Sequence, residues 1–172
     1  MTTKLPLQAL NSTEPHTFIQ VLGGIFEHSP WVAEQVVTLR PFSSINALHT
    51  VMVQQIEAAG SEAQLKLIRA HPELAGKAAV RGELTEESSR EQSGVGLDRC
   101  SPQEFAQLQD LNTRYNQRFG FPFIVAVRGH SRESIIALMA QRLGNSAEVE
   151  QGECLQQIYK IGAFRLNDLL AD

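Results

Sequence analysis

The sequence is poor in cysteine and lacks any long apolar run. Cys100 and Cys154 stand far apart and form no CxxC pair, which excludes a disulfide framework and fits a reducing compartment. No apolar stretch approaches the roughly 18 residues of a membrane-spanning helix, and the N-terminus lacks the apolar core of a signal peptide. We therefore predict a cytoplasmic protein that does not insert into membranes.

A strong excess of charge is also missing. Fifteen Lys and Arg residues against 19 Asp and Glu residues give a formal net charge of −4, and the basic residues form no cluster. Because binding to phosphates needs clustered Lys and Arg, a nucleic-acid partner is excluded. Four histidines show no metal-ligand spacing, so no metal site is expected: His16, His28, His49 and His130.

Apolar residues recur at helical spacing along nearly the whole chain. The first such helix is predicted to run from Phe18 through Phe26. Start signals for seven further helices occur at Ser29 before Pro30, at Ser43 or Ser44, and at or near Ser61, Thr85, Ser101, Ser131 and Ser146. One β-prone stretch, residues 119–127, has no partner strand, so it is interpreted as a buried extended segment or as part of a helix. The length of 172 residues suits one compact domain. We predict an all-α, single-domain bundle of about eight helices spanning residues 1–172.

A helix that begins near Ser61 must stop at His71, because Pro72 disfavours the helical conformation there and removes a backbone donor. In the next short helix, Ser88, Glu91 and Gln92 stand at i, i+3 and i+4 and share one face. A hydroxyl, a carboxylate and an amide therefore converge. The alternatives are a histidine that bonds a free carbonyl at the helix end, and polar side chains that form solvated caps.

Arg165 lies on the apolar face of the last helix, within 40° of Ile158, Ile161 and Leu169 at 100° per residue. A buried guanidinium needs an anion or several acceptors. One interpretation is a structural salt bridge, or a side chain that reaches past a thin apolar rim. The other is an arginine that binds an anionic or polar ligand in a pocket.

Five motifs occur in a fixed order along the chain: His71-Pro72-Glu73-Leu74-Ala75-Gly76, Ser88 with Glu91-Gln92, Phe119-Gly120-Phe121-Pro122-Phe123-Ile124, Arg142-Leu143-Gly144-Asn145 and Arg165-Leu166. Together they resemble the signature of the OHCU decarboxylase family. OHCU is 2-oxo-4-hydroxy-4-carboxy-5-ureidoimidazoline, the second intermediate between urate and allantoin. The resemblance covers residues 18–170, with one mild departure at Val95, where a smaller residue is usual.

The resemblance implies an all-helical, cofactor-free homodimer that converts a small ureide, OHCU, to (S)-allantoin. The resemblance places His71 and Glu91 in the substrate pocket and implies no metal, and the acid–base chemistry of the reaction assigns catalysis to these two residues. Seven further residues are expected against the substrate: Pro72, Ser88, Gln92, Phe123, Ile124, Ala126 and Arg165.

Two other functions stay open on the residues alone. The chain could be a catalytically silent helical module that binds a partner protein or a ureide in the same pocket. It could also be a different lyase or hydrolase that acts on a related ureide. The coexistence of His71 and Glu91 favours an enzyme, because a binding module needs donors and acceptors but no proton shuttle.

Overall fold

The computed structural model describes residues 3–172, and this range is mainly helical. Within it lie ten α-helices: α1 Leu7–Asn11, α2 Pro15–Leu22, α3 Trp31–Val36, α4 Ile45–Ala58, α5 Ser61–Ala70, α6 Lys77–Val80, α7 Glu86–Gly94, α8 Pro102–Phe119, α9 Arg132–Arg142 and α10 Ala147–Leu169. Two short 3₁₀ helices are Val37–Leu39 and Leu97–Arg99. The all-α class is confirmed. The eight predicted helices are present, and the short helices α1 and α6 occur in addition to them. No helix in this range has both the length and the apolar character to cross a membrane.

The described chain divides into two compact units. The first contains residues 3–70 and 159–172, and the second is His71–Ile158. The last helix, α10, contributes residues to both units. The single-domain organisation stays a prediction.

The first unit holds a short pair of parallel strands that the sequence did not predict. Strand β1 (Leu5–Pro6) pairs with β2 (Leu170–Ala171), with Leu5 opposite Leu170. Two residues are too few to show the alternation by which a strand is recognised. The unit is built around fully buried apolar side chains that include Phe18, Leu22, Leu48, Met52, Ile56 and Leu166.

The helix predicted to run from Phe18 through Phe26 ends early. Helix α2 stops at Leu22, and the next two residues are glycines, which are poor helix formers. Ile25 and Phe26 lie in the turn that follows, where both are buried. Their spacing therefore indicated burial correctly but helix wrongly. The expected cap at Ser29 is also wrong, because its hydroxyl donates to the Glu27 carbonyl at 2.7 Å.

Several predicted helix starts are confirmed by capping hydrogen bonds. The hydroxyls of Ser44 and Thr85 accept from the backbone N–H of Ala47 (3.0 Å) and Ser88 (3.2 Å), respectively. Ser101 forms a full capping box with Glu104 at the start of α8. These bonds satisfy donors that the first helical turn leaves open.

The β-prone stretch is an extended, buried segment of the second unit. Helix α8 ends at Phe119, and the next residue, Gly120, has a φ of 77°, in the left-handed region that favours glycine. Residues 121–127 are all buried, and residues 122–127 form neither helix, strand nor turn. The Tyr115 and Phe123 rings meet edge to face with centroids 5.5 Å apart. Of the two predicted alternatives, the extended segment is therefore confirmed.

Candidate active site

The predicted corner at His71 is present. Helix α5 ends at Ala70, and His71 is the first residue of a loop, residues 71–76, that leads to α6. Its side chain is buried, and Pro72 beside it is half-buried. The local signal that stops the helix therefore also places an imidazole in the protein interior.

Helix α7 buries a polar face. Its two buried residues are Ser88 and Gln92, and Glu91 between them is half-buried. No apolar residue of this helix is buried, so the hydrophobic effect does not explain its packing. Buried hydroxyl and amide groups need hydrogen-bond partners, which makes this face a polar surface inside the protein.

Gln92 connects this polar face to the His71 loop. Its Oε1 accepts from the Ala75 N–H at 3.0 Å, and its Nε2 donates to the Glu73 carbonyl at 3.4 Å. The structure therefore brings α7 and the loop together. Both ends of the Gln92 amide bind backbone groups, so here Gln92 shapes the loop. Its contact with substrate stays a prediction.

Two residues give the loop its tight path. Ala75 has φ of 50°, a left-handed conformation that costs an L-residue about 1–2 kcal/mol. At Gly76, a Cβ atom would lie 2.7 Å from the Cβ of Glu73 and 3.3 Å from its carbonyl oxygen. Glycine is therefore required at position 76 by the close approach of Glu73.

The extended segment that contains the predicted ligand residues Phe123, Ile124 and Ala126 is held by side chains. Arg142 Nη1 donates to the Ile124 carbonyl at 2.7 Å, and the Ala126 N–H donates to Gln157 Oε1 at 3.0 Å. The segment has no strand partner, so these side chains supply the hydrogen bonds that its backbone needs. Ile124 and Ala126 are thereby fixed in place.

Arg142 belongs to a buried network. Its Nε donates to Glu150 Oε1 at 2.8 Å, and Tyr115 donates to the same oxygen at 2.6 Å. The guanidinium also lies 4.3 Å from the centroid of the Phe123 ring. Burial disfavours the charged form of Arg142, but Glu150, Cys154 and Tyr115 together outweigh that effect and the pKa of the guanidinium is raised. Burial raises the pKa of Tyr115 far above its usual value, so its hydroxyl stays a donor.

Sequence reasoning assigned no role to Arg142 and missed Glu150 and Gln157. A signal for Glu150 was present, because Glu150, Cys154 and Ile158 stand at i, i+4 and i+8 on one buried stripe of α10. The helical periodicity of apolar residues also identified Arg165 as a buried charge on this helix. When the same periodicity is followed along all of α10, it identifies Glu150 as a buried carboxylate.

Arg165 lies in the first unit and is paired there. Its Nη2 donates to Glu27 Oε1 at 2.9 Å, and its Nη1 donates to the Gly24 carbonyl at 3.2 Å. The side chains are 6% and 1% exposed, respectively. The interpretation as a structural salt bridge is therefore confirmed, whereas contact with substrate stays a prediction. Sequence reasoning missed Glu27, because this turn was predicted to be helical.

The described residues contain no group of three or more His, Cys, Asp and Glu side chains arranged to hold a metal ion. The His71 loop carries a buried imidazole and is bound by the Gln92 amide, and the hydroxyl of Ser88 and the carboxylate of Glu91 share the Gln92 face of α7. Such a set can exchange protons and bind the N–H and C=O groups of a small polar molecule.

Comparison with known proteins agrees with these motifs. A family model described as OHCU decarboxylase matches residues 11–167. The chain belongs to the OHCU decarboxylase family. A member from Haloferax volcanii, 2-oxo-4-hydroxy-4-carboxy-5-ureidoimidazoline decarboxylase, is 39% identical over 163 residues, which cover 95% of either chain.

A second relative carries the family sequence within a longer protein. The uric acid degradation bifunctional protein PucL of Bacillus subtilis is 41% identical over 163 residues. These residues are 95% of this chain but 32% of PucL. The chain thus spans about a third of that protein.

Solved structures show the same fold. A crystal structure of (S)-allantoin synthase has a TM-score of 0.78 at 26% identity and covers 96% of this chain and 54% of the other. A crystal structure of OHCU decarboxylase in the presence of (S)-allantoin has a TM-score of 0.69 at 20% identity, over 93% and 100% of the two chains. The family fold is therefore present along nearly the whole chain.

Replacing Arg165 should reveal the strength of its pairing with Glu27. We expect Arg165→Met to lower the free energy of unfolding by about 3–5 kcal/mol, because it removes the guanidinium that pairs with a buried carboxylate. Arg165→Lys should cost less, since an ammonium keeps the opposite charge. Urea denaturation measures both, with Arg114→Met at the exposed Arg114–Asp110 pair as the control. An Arg165→Met variant as stable as this control would contradict the pairing.

Proposed function

We propose that this protein decarboxylates OHCU to (S)-allantoin in the degradation of urate. The observation that carries the proposal is the family match over residues 11–167, with a named decarboxylase that is 39% identical and aligned over 95% of its length. The buried polar face of α7 beside the His71 loop supports it, since a small ureide offers several donors and acceptors. The proposal concerns only the third of PucL that this chain matches, and not the activities of the longer protein.

The chemistry requires little beyond positioned acid–base and hydrogen-bonding groups. The bond between C4 and the carboxylate breaks, carbon dioxide leaves, and the electron pair forms a double bond between C4 and C5. The electrons of the C5=N bond move to its nitrogen, which takes up a proton. Loss of the C4 hydroxyl proton and addition of a proton at C5 then give allantoin. The substrate supplies its own electron sink, so we propose that the enzyme uses no cofactor.

His71 is proposed to accept the proton of the C4 hydroxyl. An imidazole has an ordinary pKa of about 6.5 and exchanges protons near neutral pH. Glu91, on the same helix face as Ser88 and Gln92, is proposed to accept N–H groups of the substrate and to set the protonation state of His71. Both assignments follow the family resemblance and the placement of α7 beside the loop.

The remaining proposed contacts orient the ligand. Pro72 follows His71 in the sequence, Ser88 lies on α7, and both are proposed to contact the substrate. The backbone N–H and C=O groups of Phe123, Ile124 and Ala126 are proposed as further hydrogen-bonding partners of the substrate. Arg165 is proposed to hold a carbonyl or developing negative charge of the substrate while it pairs with Glu27. Calorimetric titration of Arg165→Lys with (S)-allantoin tests this role, because an ammonium cannot reproduce the planar fork of donors.

Homodimeric assembly and a cytoplasmic location are also proposals, drawn from the sequence and the family resemblance. Light scattering of the purified protein measures its oligomeric state directly. A monomer across the working concentration range would contradict the dimer without affecting the proposed reaction.

The rival function is a silent module that binds a ureide in the same place. An assay with freshly made OHCU separates the two, because a binding module leaves the spontaneous decay of OHCU unchanged. Faster appearance of optically active allantoin, followed by circular dichroism, supports the decarboxylase.

Replacement of the imidazole should remove most of the activity. We expect His71→Asn to lower kcat by about 10²- to 10⁴-fold, the usual contribution of a general acid–base group. His16→Asn on the exposed part of α2 is the matched control and should keep wild-type turnover. Stopped-flow decay of OHCU gives both rates. A folded His71→Asn protein with near wild-type turnover would remove His71 from the mechanism.

The product should be a single enantiomer. A ring held in one orientation by several polar groups receives its proton at C5 from one face only. Circular dichroism during the first turnovers should therefore show (S)-allantoin from the start. Racemic product, under conditions where allantoin itself does not racemise, would mean that the enol is protonated in water.

The reaction should not depend on a metal ion. Because the substrate imine accepts the electron pair, a Lewis acid is not required for carbon dioxide loss. Dialysis against a strong chelator should leave kcat unchanged, and metal analysis of the active protein provides the control. A loss of activity that added metal restores would refute this prediction.

A further inference from the structure

Helix α8 presents a row of amide side chains to the His71 loop. Gln109, Asn112 and Asn116 stand at i, i+3 and i+7, which places them on one face of the helix. Gln109 Nε2 donates to the Ala75 carbonyl at 2.7 Å, and Asn112 Nδ2 donates to the Leu74 carbonyl at 2.9 Å. The amide of Asn116 donates to the Glu73 carboxylate. Each amide thus binds a different residue of the same short loop.

Ala75 is the point where two helices hold this loop. Its N–H donates to Gln92 of α7, and its carbonyl accepts from Gln109 of α8. The same residue has the left-handed φ of 50°. A residue in such a sparsely populated conformation persists only where its surroundings fix it. Loss of one of these two hydrogen bonds therefore weakens the restraint on the conformation of Ala75.

We propose that Gln109 is a positioning residue for catalysis, which acts through Ala75 on the loop that carries His71. The proposal rests on the proposed decarboxylase function and goes beyond the residues that contact substrate. His71 lies four residues before Ala75 in this loop, so a change at Ala75 is passed to the imidazole through a short stretch of backbone. A displacement of about 1 Å at an acid–base group can cost 10²-fold in rate.

Among the three amides, Gln109 permits the cleanest test. Asn112 is 2% exposed, and its Oδ1 has no hydrogen-bond partner among residues 3–172, so replacing it alters several buried polar atoms together. Gln109 is half-buried, and Met has nearly the same length and helix propensity. Gln109→Met therefore removes one donor without opening a cavity in the core.

Helix α8 also provides a matched control. Gln107 lies two residues earlier on the same helix and is exposed, so Gln107→Met makes the same chemical change away from the loop. Gln109→Lys restores a donor at position 109, since its ammonium can reach the Ala75 carbonyl. Steady-state kinetics with OHCU, thermal unfolding and NMR of the imidazole C–H groups are measured for all three variants.

We expect Gln109→Met to lower kcat by about tenfold with KM within about twofold of wild type, because His71 acts mainly in the transition state. The His71 signals should shift in Gln109→Met and stay unchanged in Gln107→Met. Gln109→Lys should recover most of the lost rate. These results together support a positioning role.

Two results overturn the assignment while the proposed function stands. One is wild-type kcat in Gln109→Met. The other is a lower unfolding temperature with unchanged turnover per folded molecule, which describes a structural residue only. If the wild-type protein and Gln107→Met both fail to decarboxylate OHCU, the proposed function fails, and the assignment that rests on it falls as well.

Discussion

Backbone that belongs to no helix or strand must still have its polar groups hydrogen-bonded when it is buried, and the candidate site depends on this constraint. The His71 loop and the segment at residues 122–127 are both irregular. Gln92 and Gln109 hold the loop, whereas Arg142 and Gln157 hold the segment. Polar residues of α7, α8, α9 and α10 therefore hold the backbone of the candidate site in place.

Charge in the interior follows a similar rule, since each of the two units contains one buried arginine–glutamate pair. Arg165 pairs with Glu27 in the first unit, and Arg142 pairs with Glu150 in the second. Each guanidinium also donates to a backbone carbonyl, so its fork of donors joins a carboxylate to irregular backbone. A lysine could balance the charge but could not make both kinds of contact with the same planar geometry.

This construction suits a reaction whose substrate carries its own electron sink. In the proposed reaction the protein has to orient a small polar ring and exchange protons at defined atoms, and rigid placement of its groups favours both. A loop fixed by side chains from two helices meets this need better than a loop held only by its own turn. The strained conformation at Ala75 is consistent with placement by the surrounding structure.

The sequence by itself determined the features that arise within a few residues of each other. Helix starts at Ser44, Thr85 and Ser101, the stop before Pro72 and the polar face of α7 all depend on contacts between near neighbours in the chain. Only the tertiary structure decided which groups bind one another across long separations. Gln92 binds backbone 17 residues away, and Arg165 finds Glu27 at a separation of 138 residues. Spacing reveals that a side chain is buried, but its partner is chosen by the packing of segments that lie far apart in the chain.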